Sequence, residues 1–418
     1  MRAIHCQCSI VFFLGLAILT ADLFPGSSVH ASVEEGMKAY MLGQYEVAFD
    51  LFHEEATQGN RLAQTLLGDM YRKGLGTSKN AQAASQWYRR AVEQGEPEAQ
   101  YNLGLMYLRG EGVTSNKRQG AFWIEKAARQ QYLPALYALG WMYVNGHGVM
   151  KNLPQALEWF RQAAERGELE AQYSLGWILA QAEGSLRDRT AAQYWWEQAA
   201  TNGHVGAQYG LGWLLQQTST GPSDYQAAAQ WFLRAAEHDN VHAQYSLGWL
   251  YAKGLGVDQD AKEAAKWFYL AAKHGLAQAQ YDLGMMYARE NGVPLDHEQA
   301  RHWVTQAAQQ GFTDAQYQLG AWYQTGQGVE GDSHRAAYWF RLAAEQGHPE
   351  SQFHLAMMYR HAEGVEYDIV EAYKWAALAS AQGHQQAQHM ERELALSLSP
   401  SALARAQQRL HDWIAAHR

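Results

Sequence analysis

The chain of 418 residues is 47% hydrophobic and 18% charged, against a usual charged share of about 25%, so it has ample apolar material for folded cores and is not a largely disordered polymer. Its formal net charge of −9, from 33 basic and 42 acidic residues, includes no basic block and gives no electrostatic footprint for nucleic acid. Both cysteines, Cys6 and Cys8, stand at the N-terminus, which excludes disulfide scaffolds, cysteine nucleophiles and Cys-ligated zinc from the rest of the chain.

In chain order, residues 1–31 read as an export signal. Arg2 supplies a positive start, Ile10 to Leu19 an unbroken apolar run, and Val29-His30-Ala31 a small-residue cleavage site. A membrane-spanning helix needs about 20 apolar residues, and this run is about half that. The cysteines precede the apolar run, so neither stands where a lipoprotein acceptor would. The expectation is an exported chain beginning at Ser32, in the periplasm, the cell envelope or the medium.

Residues 32–61 hold a short hairpin, Gly36 to Tyr40 then Tyr45 to Phe49, expected to cap the N-terminal end of a repeat array. From Leu62 to Gln385 one motif returns nine times at a constant step of 36 residues. Ala99-Gln-Tyr-Asn-Leu-Gly104 comes back at Ala171, Ala207, Ala243, Ala279 and Ala315, and in altered form at Ala63, Ala135 and Ser351. Trp markers from Trp87 to Trp375 and Ala markers from Ala91 to Ala379 keep the same step. A period of this size means a solenoid.

Each repeat divides into two helices. Ala135, Leu139 and Tyr143 share one face of the first, with Gly140 beside them. After the turn Asn145 to Gly148, Ala156, Trp159, Phe160 and Ala163 form the stripe of a second amphipathic helix, which Gly167 ends. Gly or Ala at mid-helix lets the pair approach closely, and the recurring Trp is expected to fill the space against the neighbouring repeat. The fourth and fifth repeats carry Gln181 to Arg189 and Gln216 to Asp224 in place of the Gly-x-Gly turn, and these turns are expected to protrude. Residues 386–418 lose the markers, and Leu398-Ser-Pro-Ser401 reads as a break before a last capping helix, Ala402 to Trp413.

The string Ala-x-Tyr-x-Leu-Gly-x-x-Tyr-x-x-Gly-x-Gly-Val, followed by Ala-x-x-Trp-Phe-x-x-Ala-Ala-x-x-Gly, resembles the Sel-1-like repeats of the tetratricopeptide class. The resemblance implies an all-α, right-handed superhelical solenoid whose first helices line the concave surface. It also implies protein–protein scaffolding or peptide binding, often in the bacterial envelope and usually without catalysis. A cysteine-rich subset of that family is linked to β-lactam binding, and the cysteine-free repeats here do not carry that link over.

Sites for chemistry are sparse. The repeated Gly-x-Gly, as at Gly74 and Gly76, has no preceding strand and no Lys-Ser/Thr, so it reads as a tight turn and not a phosphate loop. His238 and His242 are separated by a helix break at Asp239-Asn240. His354, His361, His384 and His389 are denser but lack a metal-binding string, so no metal and no cofactor is expected. No Gly-x-Ser-x-Gly elbow is present.

The repeats provide an internal alignment that separates what the fold demands from what is free to serve binding. The Tyr of the motif recurs, whereas the residue after Leu-Gly varies: Asp69, Leu105, then Trp141, Trp177, Trp213 and Trp249, then Met285 and Ala321. At about 100° per residue this position points away from the packing Leu and shares a side with the Tyr four residues before it. The pairs Tyr137–Trp141, Tyr173–Trp177, Tyr209–Trp213 and Tyr245–Trp249 are therefore the candidate partner-binding residues, on the wall that family geometry makes concave. The competing reading is that these Trp fill gaps between first helices. Arg72, Lys73, Arg109, Lys253, Arg289 and Arg360 lie on the same side, either as basic flanks for a partner's carboxylates or as solvated charge. The reading favoured is a monomeric, non-enzymatic scaffold that binds an extended peptide or protein. The alternatives are a polysaccharide-binding accessory protein and a cell-wall hydrolase.

Overall fold

The computed structural model describes residues 28–417. The expected export signal lies outside these residues up to position 27. The first helix starts at Ser28, so the expected cleavage after Ala31 falls in its first turn.

The chain divides into two compact units after Asp188. The first holds α1 (Ser28–Met41), α2 (Tyr45–Thr57), α3 (Arg61–Lys73), α4 (Ala81–Glu93), α5 (Pro97–Arg109), α6 (Lys117–Arg129), α7 (Leu133–Asn145), α8 (Leu153–Ala164) and α9 (Leu169–Gln181). The second holds α10 (Arg189–Thr201), α11 (Val205–Thr218), α12 (Pro222–Glu237), α13 (Val241–Lys253), α14 (Ala261–Lys273), α15 (Ala277–Arg289), α16 (His297–Gln309), α17 (Thr313–Thr325), α18 (Ser333–Glu345), α19 (Pro349–His361), α20 (Ile369–Ala381), α21 (Gln385–Ser397) and α22 (Pro400–Ala416). No strand occurs among the described residues. Within each unit the fold is an all-α solenoid of helix pairs. The last helix is capped by Ser399, whose hydroxyl accepts from Ala402 N, as the break in the sequence predicts.

Local chemistry explains each pair. Most first helices of the repeats end at a left-handed glycine, as at Gly74 (φ 76°) and Gly146 (φ 72°), with Glu290 and Ala362 taking the same conformation in α15 and α19. The second glycine of the turn is required by close approach: a Cβ on Gly112 would lie 2.2 Å from the Ala81 carbonyl oxygen. Most second helices of the repeats start at an Asn or Asp whose carboxamide or carboxylate accepts a backbone N–H, as at Asn116 and Asp260. The cap residue's own N–H returns to a carbonyl near the end of the preceding helix: Asn116 to Tyr107 at 2.8 Å and Asp260 to Tyr251 at 3.0 Å. The fourth repeat keeps this bond without its Gly-x-Gly, since Asp188 N donates to Leu179 O at 2.9 Å. Residues 183–185, 187 and 188 of that turn are exposed, as the sequence suggests.

The core differs from the expectation in one respect. In most repeats the recurring Trp is not the fully buried filler, although Trp267 and Trp375 are buried. Trp87, Trp159 and Trp231 are half-buried, and the residue after them (Tyr88, Phe160, Phe232) is fully buried. That next ring lies directly on the first helix at its glycine: a Cβ on Gly140 would sit 2.7 Å from the Phe160 ring, and one on Gly212 2.6 Å from that of Phe232. Trp196 takes the same place as the largest fully buried side chain, and its bulk is met by Gly210, where a Cβ would lie 2.8 Å from the indole. The recurring Trp instead makes a seam between successive second helices, Trp87 against His53 at 5.9 Å and Trp303 against Tyr269 at 6.0 Å. A cation one turn away covers its outer face, Arg90 over Trp87 at 4.4 Å and Arg234 over Trp231 at 4.6 Å.

The Gln of the Ala-Gln-Tyr motif is buried and bonded across the repeat boundary. Its amide donates to the carbonyl eight residues earlier, as Gln280 does to Ala272 at 3.1 Å, and its Oε1 accepts from a Gln thirty residues on, Gln310 at 2.7 Å. Gln316 and Gln352 repeat this with Gln346 and Gln382. At Gln208 and Gln244 the residue thirty positions on is His238 or His274, and there the buried Oε1 has no hydrogen-bond partner. A buried acceptor left unmade costs about 1–3 kcal/mol. Replacing His238→Gln and His274→Gln together is therefore expected to raise stability by about 1–2 kcal/mol. A urea midpoint that stays put or falls overturns that account of the ladder.

Candidate binding surface

The candidate pairs sit on first helices of both units. In the first unit α7 carries Tyr137 and Trp141, and α9 carries Tyr173 and Trp177; their ring centroids lie 6.4 Å apart in each pair. Trp141 is 37% exposed and Trp177 38%, which is high for so large an apolar side chain, and the tyrosines beneath are half-buried. In the second unit α11 carries Tyr209 and Trp213, and α13 carries Tyr245 and Trp249, all half-buried. The tyrosines rest on the buried core rings, Tyr137 at 5.7 Å from Phe160, Tyr209 at 5.9 Å from Phe232 and Tyr245 at 5.5 Å from Phe268. Trp141, Trp213 and Trp249 thus stand over a floor fixed by core packing. The two Trp of the second unit also pack against the following repeat, Trp213 on the cluster of Leu247 and Leu250, Trp249 on that of Leu283 and Met286.

The same face becomes polar away from these pairs. Asp69, at the Trp position of the first repeat, accepts from the Tyr88 hydroxyl and from Asn102 Nδ2 at 3.3 Å, and pairs with Lys73 at 3.3 Å. Arg72 Nε donates to the same Tyr88 hydroxyl at 3.2 Å. Burial, reinforced by the charges of Asp69 and Glu96, pushes the neighbouring Glu98 up to about 7. In the second unit the Tyr245 hydroxyl donates to Asp282 at 3.0 Å, and burial raises both groups.

The cations expected as flanks are largely engaged by the chain's own carboxylates: Lys73 with Asp69, Arg109 with Glu111 at 3.9 Å, Arg360 with Glu393 at 2.9 Å. An acidic partner would have to displace these pairs, so the aromatic pairs and not the charges distinguish this surface.

Several of the histidines serve as caps. His238 and His242 are parted by Asp239 (φ 57°) and the N-cap Asn240. His348 caps α19 and His384 caps α21, each through Nδ1 accepting a backbone N–H at 3.1 Å. Among the described residues no group of three or more His, Cys, Asp or Glu is placed to hold a metal ion.

Burial holds His348 below its usual value, against the opposing pull of Asp314 and Glu350, and holds His354 down likewise beside Glu350, His384 and His348. At these two sites the folded chain therefore binds fewer protons than the unfolded one. Stability is full above the unfolded value of about 6.5 and is lost as pH falls through the lower folded value. A protonated Nδ1 also cannot accept the cap bond. The difference in urea midpoint between the wild type and His348→Asn, the cap used at Asn60 and Asn240, is expected to shift in favour of the variant from pH 7.5 to pH 5. An unchanged difference removes His348 as a contributor.

The Sel1 repeat pattern matches nine consecutive spans from 61–96 to 349–384, the same nine copies framed one residue earlier. The chain belongs to the Sel1 repeat family. Repeats of this family generally serve as protein–protein interaction scaffolds. A solved structure of a protective antigen present in uropathogenic Escherichia coli strains, displaying an SLR fold, is 32% identical over 92% of this chain and 84% of that one, with a TM-score of 0.79. A Sel1 repeat protein from Oxalobacter formigenes is 26% identical over 90% of this chain and 99% of that one, with a TM-score of 0.47. No curated protein matches the chain.

Proposed function

We propose that this Sel1 repeat chain is a non-enzymatic scaffold of the cell envelope that holds an extended peptide segment of a partner protein on the Tyr–Trp faces of its first helices. The observation that carries this is the exposure of Trp141 and Trp177 over half-buried tyrosines. Flat rings on a rigid floor offer large contact area at little entropy cost. Their confinement to four successive repeats also marks them as additions to the fold and not requirements of it. Similarity to a protective antigen supports the reading of residues 1–31 as an export signal, with 32–61 and 386–418 as caps of the repeat array.

The test is selection of peptides from a displayed random library on the mature chain, with counter-selection on Trp141→Ala/Trp177→Ala. Enrichment of peptides that bind the wild type and not the variant supports the reading. Enrichment of peptides indifferent to the variant, or binding of glycans in place of peptides on an array, overturns it.

A further inference from the structure

The face that carries the aromatic pairs holds one opening of its own in the second unit. Between α19 and α21 lies a pocket of about 430 Å³ lined by Phe353, Met357, Arg360, His389, Met390 and Glu393. In repeat register Phe353 stands where Tyr245 stands three repeats earlier, and Met357 where Trp249 stands. Trp249 packs its indole against the following repeat. At Met357 the thinner thioether leaves the corresponding space open.

The fold therefore shows what kind of group fits here. We propose that this pocket receives an aromatic side chain, an indole above all, from the bound partner. This deepens the peptide-binding reading and rests on it. The lining is suited to a ring on every side. Met357 and Met390 offer polarizable sulfur, which makes favourable contact with aromatic rings. Phe353 offers a second ring, itself stacked on His384 at 4.7 Å. The Arg360 guanidinium, held at the mouth by Glu393 at 2.9 Å, is free to cover the ring's face as Arg90 and Arg234 cover Trp87 and Trp231. Glu393 supplies an acceptor for an indole N–H, and Arg360 and His389 on either side of it hold its carboxyl below the usual range, so it stays ionised. The opposed charges of Arg360 and Glu393 cancel, which favours an uncharged ring over a lysine or a carboxylate. A volume near the low end of the ~300–1,000 Å³ typical of ligand pockets suits a single side chain.

The probe is N-acetyl-5-fluorotryptophan amide, titrated against the full chain and read by ¹⁹F NMR. Saturable broadening is expected, with a Kd on the order of 0.1–1 mM for a fragment of this size. Met357→Trp, which fills the space with the chain's own indole, is expected to abolish it with the thermal melt unchanged. Arg360→Gln, at a half-buried side chain, is expected to weaken it several-fold, and Tyr338→Ala, an exposed aromatic elsewhere in the unit, to leave it unchanged. N-acetyl-leucine amide is expected to compete at least about tenfold less well than the unlabelled tryptophan amide. Absence of saturable binding overturns the proposal. So does binding undiminished in both Met357→Trp and Arg360→Gln, or equal competition by the leucine amide. The titration uses no partner protein, so its failure is separate from failure of the groove reading, which the Trp141 and Trp177 variants decide.

Discussion

Phe232→Ala is expected to cost about 3–5 kcal/mol, the range for removing a fully buried aromatic ring, whereas Trp231→Ala beside it is expected to cost only about 1–2 kcal/mol in proportion to its half-buried surface. The inequality follows from where the rings lie. Phe232 is fully buried and presses on the backbone of α11 so closely that Gly212 tolerates no Cβ. Deleting it leaves a cavity between two helices that cannot close without moving one of them. Trp231 has its outer face under the Arg234 guanidinium and exposes part of its ring, so solvent fills the place it vacates. In a repeat stack the damage is local, and hydrogen exchange on Phe232→Ala is expected to show lost protection centred on α11 to α13. Equal costs for the two substitutions, or protection lost evenly across the second unit, would contradict this account of the core.

The pair Trp231–Phe232 also shows how far the sequence could be read. The 36-residue step and the division into two helices were legible because they recur in every copy, and the glycine turns because they recur in most. Recurrence does not measure burial. Trp231 and Phe232 are both part of the motif, and only their angle about the helix, relative to Gly212, makes the second the core residue and the first the outer seam. The buried Gln was visible as a letter of Ala-Gln-Tyr, but its role depends on a partner thirty residues away that no local period displays. Comparing the copies at that spacing would have found it, since His238 and His274 replace Gln where Gln208 and Gln244 are left unpaired. For the candidate surface, the variable position after Leu-Gly pointed to Trp141 and Trp177 without the structure. The pocket beside Met357 was not legible, because it depends on how the side chains of α19 and α21 meet and not on any local pattern.

Trp141→Ala/Trp177→Ala is expected to abolish capture of a selected peptide while leaving the melting temperature within a few degrees. Truncating an aromatic anchor at the centre of an interface commonly costs at least about 2 kcal/mol, roughly thirtyfold in affinity, so two such losses take a micromolar binder out of range. The first-unit pair is the cleaner test because both rings are more than a third exposed, more than those of Trp213 and Trp249. Trp213→Ala/Trp249→Ala is expected to lower both affinity and stability, since those rings also pack against Leu247 and Leu283 of the next repeat. The contrast separates recognition from packing. If the exposed pair proves as costly to stability as Phe232→Ala, the tryptophans are fillers between first helices, as the competing reading of the sequence has it. If it costs neither stability nor affinity, the partner is held elsewhere, and the exposed turn at 183–188 is the next surface on which to place substitutions.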